Sequence, residues 1–257
     1  MKKTNYLTAI PAIGLVVVAL FLAINSKSNV IVDQNGLQRE TVSVSGTSTL
    51  TVDPNKAEVY VRIVTLEKTA QEAKNRNSEI SKKVTDALKK LGVKDKEIET
   101  SQFNIYPKYD YEEVIDINVR KSKQVLLGYE VIHVLKVTTQ DLEKVGKIID
   151  ASVDSDANDI DRISFGLTKE KGKEVKQQAM ILASNDAKEK AVALVTNLGV
   201  SLGKPVSISE SSFYYMPFDV AYKVAAMARE EAPAPSTVVS PQKLDVSASV
   251  QLVYEIR

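Results

Sequence analysis

The chain has a single histidine, His133, and no cysteine. A lone histidine can act as a general base or a metal ligand, but both roles need further polar partners. His133 alternates with Val131, Leu135 and Val137 in an apolar stretch, which favours a histidine packed on one face of a sheet. The absence of cysteine excludes disulfides, thiolate catalysis and cysteine-bound zinc.

A second candidate for chemistry is the stretch DSDANDIDRISF, residues 154–165. Its polar residues fit the first, third and fifth ligand positions of a calcium-binding loop. The sixth position needs glycine and the twelfth needs glutamate, but Asp159 and Phe165 stand there. The stretch therefore favours a polar turn between a helix and a strand, with calcium as the alternative.

Paired carboxylates such as Glu112/Glu113 and Glu230/Glu231 lie in polar stretches. Acid–base catalysis needs two environments that separate the pKa values of its carboxyl groups, and solvated loops do not supply them. We therefore assign no catalytic residue, cofactor or metal ligand. An envelope hydrolase with an unrecognised Ser/Asp/Lys site is the alternative function.

The stretch VSVSGTSTLTVDPNKAEVYVRI, residues 42–63, alternates apolar or small residues with hydroxylated ones. This alternation predicts a half-buried strand. Its apolar face should pack on helices, whereas its Ser/Thr face must meet water or another polar surface. Neutral edge strands invite pairing unless they are covered. We therefore predict that Ser45, Thr47 and Thr49 lie at or near a subunit contact.

The run FYYMPF, residues 213–218, is the second candidate interaction surface. Alternation along a strand can bury only about half of its side chains, and exposed aromatic and methionine side chains mark binding surfaces. The residues that we assign to this surface are Phe213, Tyr214, Tyr215, Met216 and Phe218. The alternative is that the chain that follows covers them.

The N-terminal segment differs in composition from the rest of the 257 residues. Lys2 and Lys3 precede an uncharged stretch whose apolar part, residues 6–24, is nearly long enough to span a membrane. We predict a transmembrane anchor within residues 1–24, a tether at 25–40, and an extracytoplasmic body. A cleaved signal peptide is the alternative, which would make the body periplasmic or secreted.

The body, residues 41–257, is predicted to have an α+β fold, with an antiparallel or mixed sheet packed against helices. Strands at 41–52 and 57–63 should form a hairpin, with a bulge or bend at Gly46. Helices are predicted at 69–92, 140–153 and 169–198, and the last has an alanine-rich inner stripe that also includes Leu182, Leu194 and Leu198. Further strands are predicted at 98–109, 125–139, 159–167, 205–214 and 244–256, with an exposed hairpin extension at 110–124 and a surface excursion at 216–243.

Four stretches in this order and spacing resemble the SIMPL-domain family of exported or membrane-anchored bacterial and archaeal proteins. They are the opening strands with Gly46, the segments QFNIYPKYDY and LLGYEVIHVLKVTTQDLEKVGKIIDAS, DANDIDRISFGL, and the helix that leads to Gly199. The reversed order Asp53-Pro54 and Asp156 depart from the family pattern. The resemblance implies an α+β body, oligomers, and roles in the cell envelope or stress tolerance, and it supplies no catalytic residue.

The sequence thus predicts a non-enzymatic, membrane-tethered extracytoplasmic protein that forms homo-oligomers or binds envelope components. Its contact with the membrane is assigned to residues 6–24. The net charge is only +1, so there is no surplus of positive charge for nucleic-acid binding.

Overall fold

The computed structural model describes residues 40–116, 119–220 and 237–257, without the side chains of 114–121. The strands are β1 (Thr41–Val52), β2 (Lys56–Glu67), β3 (Ile98–Asp116), β4 (Val119–Thr139), β5 (Asp159–Gly166), β6 (Leu202–Tyr215), β7 (Phe218–Val220) and β8 (Leu244–Ile256). The helices are α1 (Ala70–Lys90), α2 (Lys144–Asp154) and α3 (Lys169–Asn197). Residues 41–257 form one compact unit.

The predicted anchor and tether, residues 1–24 and 25–39, lie outside the described residues. Within the part of the chain that the structure describes, no helix is both long enough and apolar enough to cross a membrane. The α+β class is confirmed, since strands paired antiparallel pack against three helices among the described residues.

The strands form two sheets, and this corrects the predicted hairpin of β1 with β2. β1 pairs along its whole length with β8 in a sheet of order β1-β8-β6, whereas β2 lies in a sheet of order β3-β4-β2-β5-β7. The three residues between β1 and β2 cross from one sheet to the other. Asn55 fixes this crossing, because its amide oxygen accepts from the backbone of Thr168 at 2.8 Å and its Nδ2 donates to the Thr168 hydroxyl at 3.1 Å.

The larger core lies between the five-stranded sheet and α1 with α2. Alternation along β2 buries Ala57, Val59, Val61 and Ile63 completely, because these residues share the face that meets the helices. α1 begins at a capping box in which Thr69 and Glu72 satisfy each other's backbone N–H groups.

The smaller core lies between the three-stranded sheet and α3. The buried residues of α3 recur every fourth position and are mostly alanine: Val175, Ala179, Ala183, Ala187, Ala191 and Val195. This confirms the alanine stripe, but Leu182, Leu194 and Leu198 were wrongly assigned to it, since 41%, 48% and 76% of their surfaces are exposed. Only small side chains fit where the helix lies this close to the sheet.

Gly46 is the point of closest approach between β1 and α3. The β1–β8 register runs past Gly46 without a shift, so the predicted bulge is wrong. A Cβ at this position would strike the carbonyl oxygen of Ala183 and lie 2.5 Å from the backbone nitrogen of Ala187. The glycine is therefore needed for helix packing.

Candidate functional site

The outer face of the three-stranded sheet, opposite α3, carries mainly hydroxylated side chains, with Val253 among them and Asp245 at one end. β1 contributes Ser43, Ser45, Thr47, Thr49 and Thr51, β8 contributes Ser247, Ser249 and Gln251, and β6 contributes Ser207, Ser209, Ser212 and Tyr214. We call this set the hydroxyl face. All of its β1 and β6 members are exposed, and none of its members carries a charge at neutral pH.

The sheet register brings together two regions that are far apart in the sequence. Thr49 lies opposite Ser247, which in turn lies opposite Tyr214. The predicted surface residues of β1 therefore share one face with the most exposed aromatic residue of the 213–218 run, whose side chain is 59% exposed.

Hydrogen bonds across the hydroxyl face are few and use only part of its capacity. Thr49 Oγ1 and Ser247 Oγ are 3.5 Å apart, and Gln251 donates to Ser43 Oγ at 3.2 Å. At one end, Thr51 donates to Asp245 at 2.8 Å. A hydroxyl can donate once and accept twice, so most of this capacity faces outward.

The free edge of β1 is covered at its midpoint by α3. The backbone N–H of Thr47 donates to Asp186 at 2.8 Å, and Lys190 donates to the carbonyl oxygen of Ser45 at 3.2 Å. The two side chains also pair with each other at 2.7 Å. The hydrogen bond from Lys190, aided by the Thr47 backbone, holds the pKa of Asp186 below its usual value. These two side chains already occupy the Thr47 N–H and the Ser45 carbonyl oxygen of the edge, so the face, and not this part of the edge, is the open surface.

The structure divides the aromatic run between surface and core. Tyr214 and Met216 are 59% and 62% exposed. Phe213, Tyr215 and Phe218 are half-buried and pack against Leu167, Val175 and the start of β8. The last three therefore contribute to packing, and Tyr214 and Met216 remain as candidate surface residues.

His133 lies in a hydrogen-bonded row on the helix-facing side of β4. Its Nδ1 is 3.1 Å from Asn77 Oδ1 and its Nε2 is 3.1 Å from Thr100 Oγ1. Asn77 Nδ2 donates to the Ile63 carbonyl, so its oxygen faces the ring and Nδ1 carries the proton. Nε2 then accepts from Thr100. Desolvation lowers the pKa of His133, which keeps the ring neutral near pH 7.

The row Thr100–His133–Asn77 has the order of a nucleophile, a base and an orienting amide. It borders a shallow groove of about 440 Å³. This groove is lined by Phe103 of β3 and by Ser78 and other residues of α1. Lys82 and Asp86 of this groove lie one helical turn apart on α1 and form a largely exposed ion pair. The lysine lowers the pKa of Asp86, so the carboxylate is a poor base. This groove is one candidate location for the hydrolase alternative. A second shallow pocket of about 430 Å³ is lined by Ser43, Ser45 and Lys190, and Lys190 pairs with Asp186.

The stretch that partly matches a calcium loop is occupied by other contacts. Asp156 pairs with Lys83 at 2.9 Å, and Asn158 accepts a hydrogen bond from the Val64 backbone at 2.6 Å. Among the residues that the structure describes, no group of three or more His, Cys, Asp or Glu side chains is arranged to hold a metal ion.

Sequence reasoning missed a second exposed surface on β3 and β4. Phe103, Ile105, Tyr109, Tyr111 and Leu126 are between 41% and 66% exposed. The signal was present in QFNIYPKYDY, where aromatic or aliphatic residues alternate with polar ones. The predicted strand ended at Tyr109, whereas β3 continues to Asp116.

Comparison with known proteins gives one family and several relatives. The SIMPL family model, described as a protein of unknown function (DUF541), matches residues 42–254. A 26 kDa periplasmic immunogenic protein of Brucella melitensis is 31% identical over 256 residues, which cover 100% of this chain and 99% of that protein. The uncharacterized protein YggE of Edwardsiella ictaluri is 24% identical over 84% of this chain and 86% of its own, and its Escherichia coli counterpart is 24% identical over 82% and 78%.

Proposed function

The chain belongs to the SIMPL family, and we propose that it works by assembly on the extracytoplasmic side of a membrane, without catalysis of its own. The observation that carries this proposal is the hydroxyl face, an exposed set of uncharged side chains that spans three strands and is bordered at one end by Asp245. The periplasmic relative supports the extracytoplasmic location. Tethering through residues 6–24 and a role in stress tolerance are part of the same proposal.

The occupant that fits the hydroxyl face best is a second copy of the chain. Each Ser or Thr hydroxyl both donates and accepts hydrogen bonds, so a surface made of them is complementary to itself. A two-fold contact places the same patch on both partners, and the members of the hydroxyl face bring no charges into that contact. Tyr214 adds an amphipathic ring of the kind enriched at interfaces.

The triple variant Ser45→Lys, Thr47→Lys, Thr49→Lys tests this contact. We expect the oligomer of the full-length protein to dissociate, with a dissociation constant raised at least tenfold (about 1.4 kcal/mol), because like charges would meet across the interface. Light scattering after size exclusion in detergent measures the mass. The fold should persist, since the three side chains are exposed.

The matched control adds the same charge elsewhere. Gln71→Lys, Asn75→Lys and Ser78→Lys alter three exposed residues of α1 and should leave the mass unchanged. An unchanged oligomer in the first variant, or equal dissociation in both variants, would show that the hydroxyl face is only solvated.

A second candidate function is hydrolysis by the Thr100–His133–Asn77 row, and one substitution separates it from packing. Under the packing interpretation, His133→Asn removes the edge-to-face contact with Phe103, whose ring centroid is 5.1 Å away, and lowers stability by about 1 kcal/mol. The variant should also lose part of the pH dependence of stability.

The direction of that pH dependence follows from burial. Burial lowers the pKa of His133 from 6.5, so the unfolded chain binds the proton more readily than the folded one. The wild type should therefore lose stability as the pH falls below about 6.5, measured by urea unfolding between pH 7 and 5. Catalysis would be favoured if the wild type hydrolyses an ester and the His133→Asn variant does not, although the stability of the variant is unchanged.

A further inference from the structure

The β3–β4 hairpin leaves the five-stranded sheet and continues as a ribbon of two strands. β2 pairs with β4 only as far as Glu67 opposite Tyr129, and the described chain nearer the tip pairs only within the hairpin. Gly128 marks the point of departure, because a Cβ there would strike the Glu67 carbonyl oxygen. An isolated two-stranded ribbon is marginally stable in water, so this segment gains stability from an added strand or a covered face.

The ribbon and the hairpin base carry a stripe of exposed apolar residues along both strands. The register places Phe103 beside His133 and Ile105 beside Val131, on the side that faces α1. Farther out, beyond a register shift between Lys108 and Tyr109, Tyr109 lies opposite Leu126. Its members Phe103, Ile105, Tyr109, Tyr111 and Leu126 are 41–66% exposed, which is typical of an interaction surface.

The two edges of the ribbon carry opposite charges. β3 is the edge strand of its sheet, and its outer part carries Asp110, Glu112 and Glu113. β4 has an open edge beyond Tyr129, where residues 122–128 include Lys123 and no acidic residue. Lys123 lies opposite Glu112 of the same ribbon. A copy placed beside the ribbon can repeat this attraction between chains.

We propose that the β3 edge of one copy pairs with the β4 edge of a second copy, so that the ribbons lie side by side. This proposal rests on the assembly function above and names a contact that extends it. Strands then alternate in direction across the contact, as antiparallel pairing requires. The apolar stripes of neighbouring copies then lie side by side. The contact joins two different edges, so it is heterologous and can repeat from copy to copy.

Complementary charge reversals test the contact in the full-length protein. In the Asp110→Lys/Glu112→Lys variant, the β3 edge and the β4 edge of the ribbon are both basic. In the Lys123→Glu variant, both edges are acidic. We expect each alone to assemble at least tenfold more weakly than the wild type, and an equimolar mixture to recover assembly, as measured by light scattering in detergent. An effect confined to one chain cannot be repaired by mixing. Glu79→Lys and Lys74→Glu, exposed on α1, are the matched controls and should have no effect.

Single introduced cysteines show which strand edges meet, because the chain has no cysteine of its own. A mixture of Glu112→Cys and Lys123→Cys proteins should form disulfide-linked dimers under oxidation, whereas neither protein alone should do so. Self-linkage of the Glu112→Cys protein would show a β3–β3 contact and overturn the proposal, as would failure of the charge-reversed mixture to assemble. The cross-link should persist when Ser45, Thr47 and Thr49 are lysine, so loss of the hydroxyl-face contact is distinguishable from loss of this one.

Discussion

Gly46→Ala is expected to lower the free energy of unfolding by about 3 kcal/mol or more, although it adds only one methyl group. The new Cβ would strike the carbonyl oxygen of Ala183 and lie 2.5 Å from the backbone nitrogen of Ala187 and 2.7 Å from its Cβ. These obstacles belong to the helix backbone and to an alanine, so rotation of a side chain cannot relieve them. α3 must move away from the sheet, which opens the alanine-lined core.

The matched control is Gly172→Ala in the first turns of the same helix. A Cβ there has its nearest neighbour at 4.0 Å, and alanine favours a helix over glycine by up to about 1 kcal/mol. This variant should therefore be as stable as the wild type or more so in urea denaturation. If Gly46→Ala unfolds at the same urea concentration as the wild type, the close approach of β1 and α3 is wrong.

Phe165→Ala should cost about 3–5 kcal/mol, the range for removal of a buried aromatic side chain. Phe165 is completely buried in the larger core. It lies on β5 between Ala57 of β2 and Phe218 of β7. Its truncation leaves a cavity in the core cluster that also contains Ala57 and Val59.

Tyr214→Ala is the control for Phe165→Ala, because it also removes an aromatic ring but from an exposed position. We expect a loss of less than about 1 kcal/mol in the free energy of unfolding, with an effect on assembly instead. Similar losses of stability in both variants would show that the 213–218 run is not divided between surface and core as described.

The sequence predicted the elements of the body well, because their signals are local. Alternation located β1 and β8, and the four-residue alanine spacing located the buried side of α3. Pairing was not predictable in the same way. β1 and β2 are adjacent in sequence and suggested a hairpin, but β1 pairs with β8, about two hundred residues later in the chain. Apolar alternation identifies the buried face of a strand but does not determine which strand pairs with it.

The candidate surface shows the same limit. The hydroxylated residues of β1 could be identified from the sequence, but their alignment with Tyr214 depends on the order β1-β8-β6. Likewise, the cover over the β1 edge comes from Asp186 and Lys190, more than one hundred residues away. Such relations between distant residues arise from tertiary packing and have no local sequence signal.

Native mass spectrometry of the protein taken from native membranes measures whether the chain assembles. We expect complexes whose masses are multiples of the full 28.2 kDa chain, which would also show that residues 1–24 are retained. A subunit beginning near Ser28 would overturn the anchor and leave assembly intact. A single chain at every concentration would contradict assembly itself.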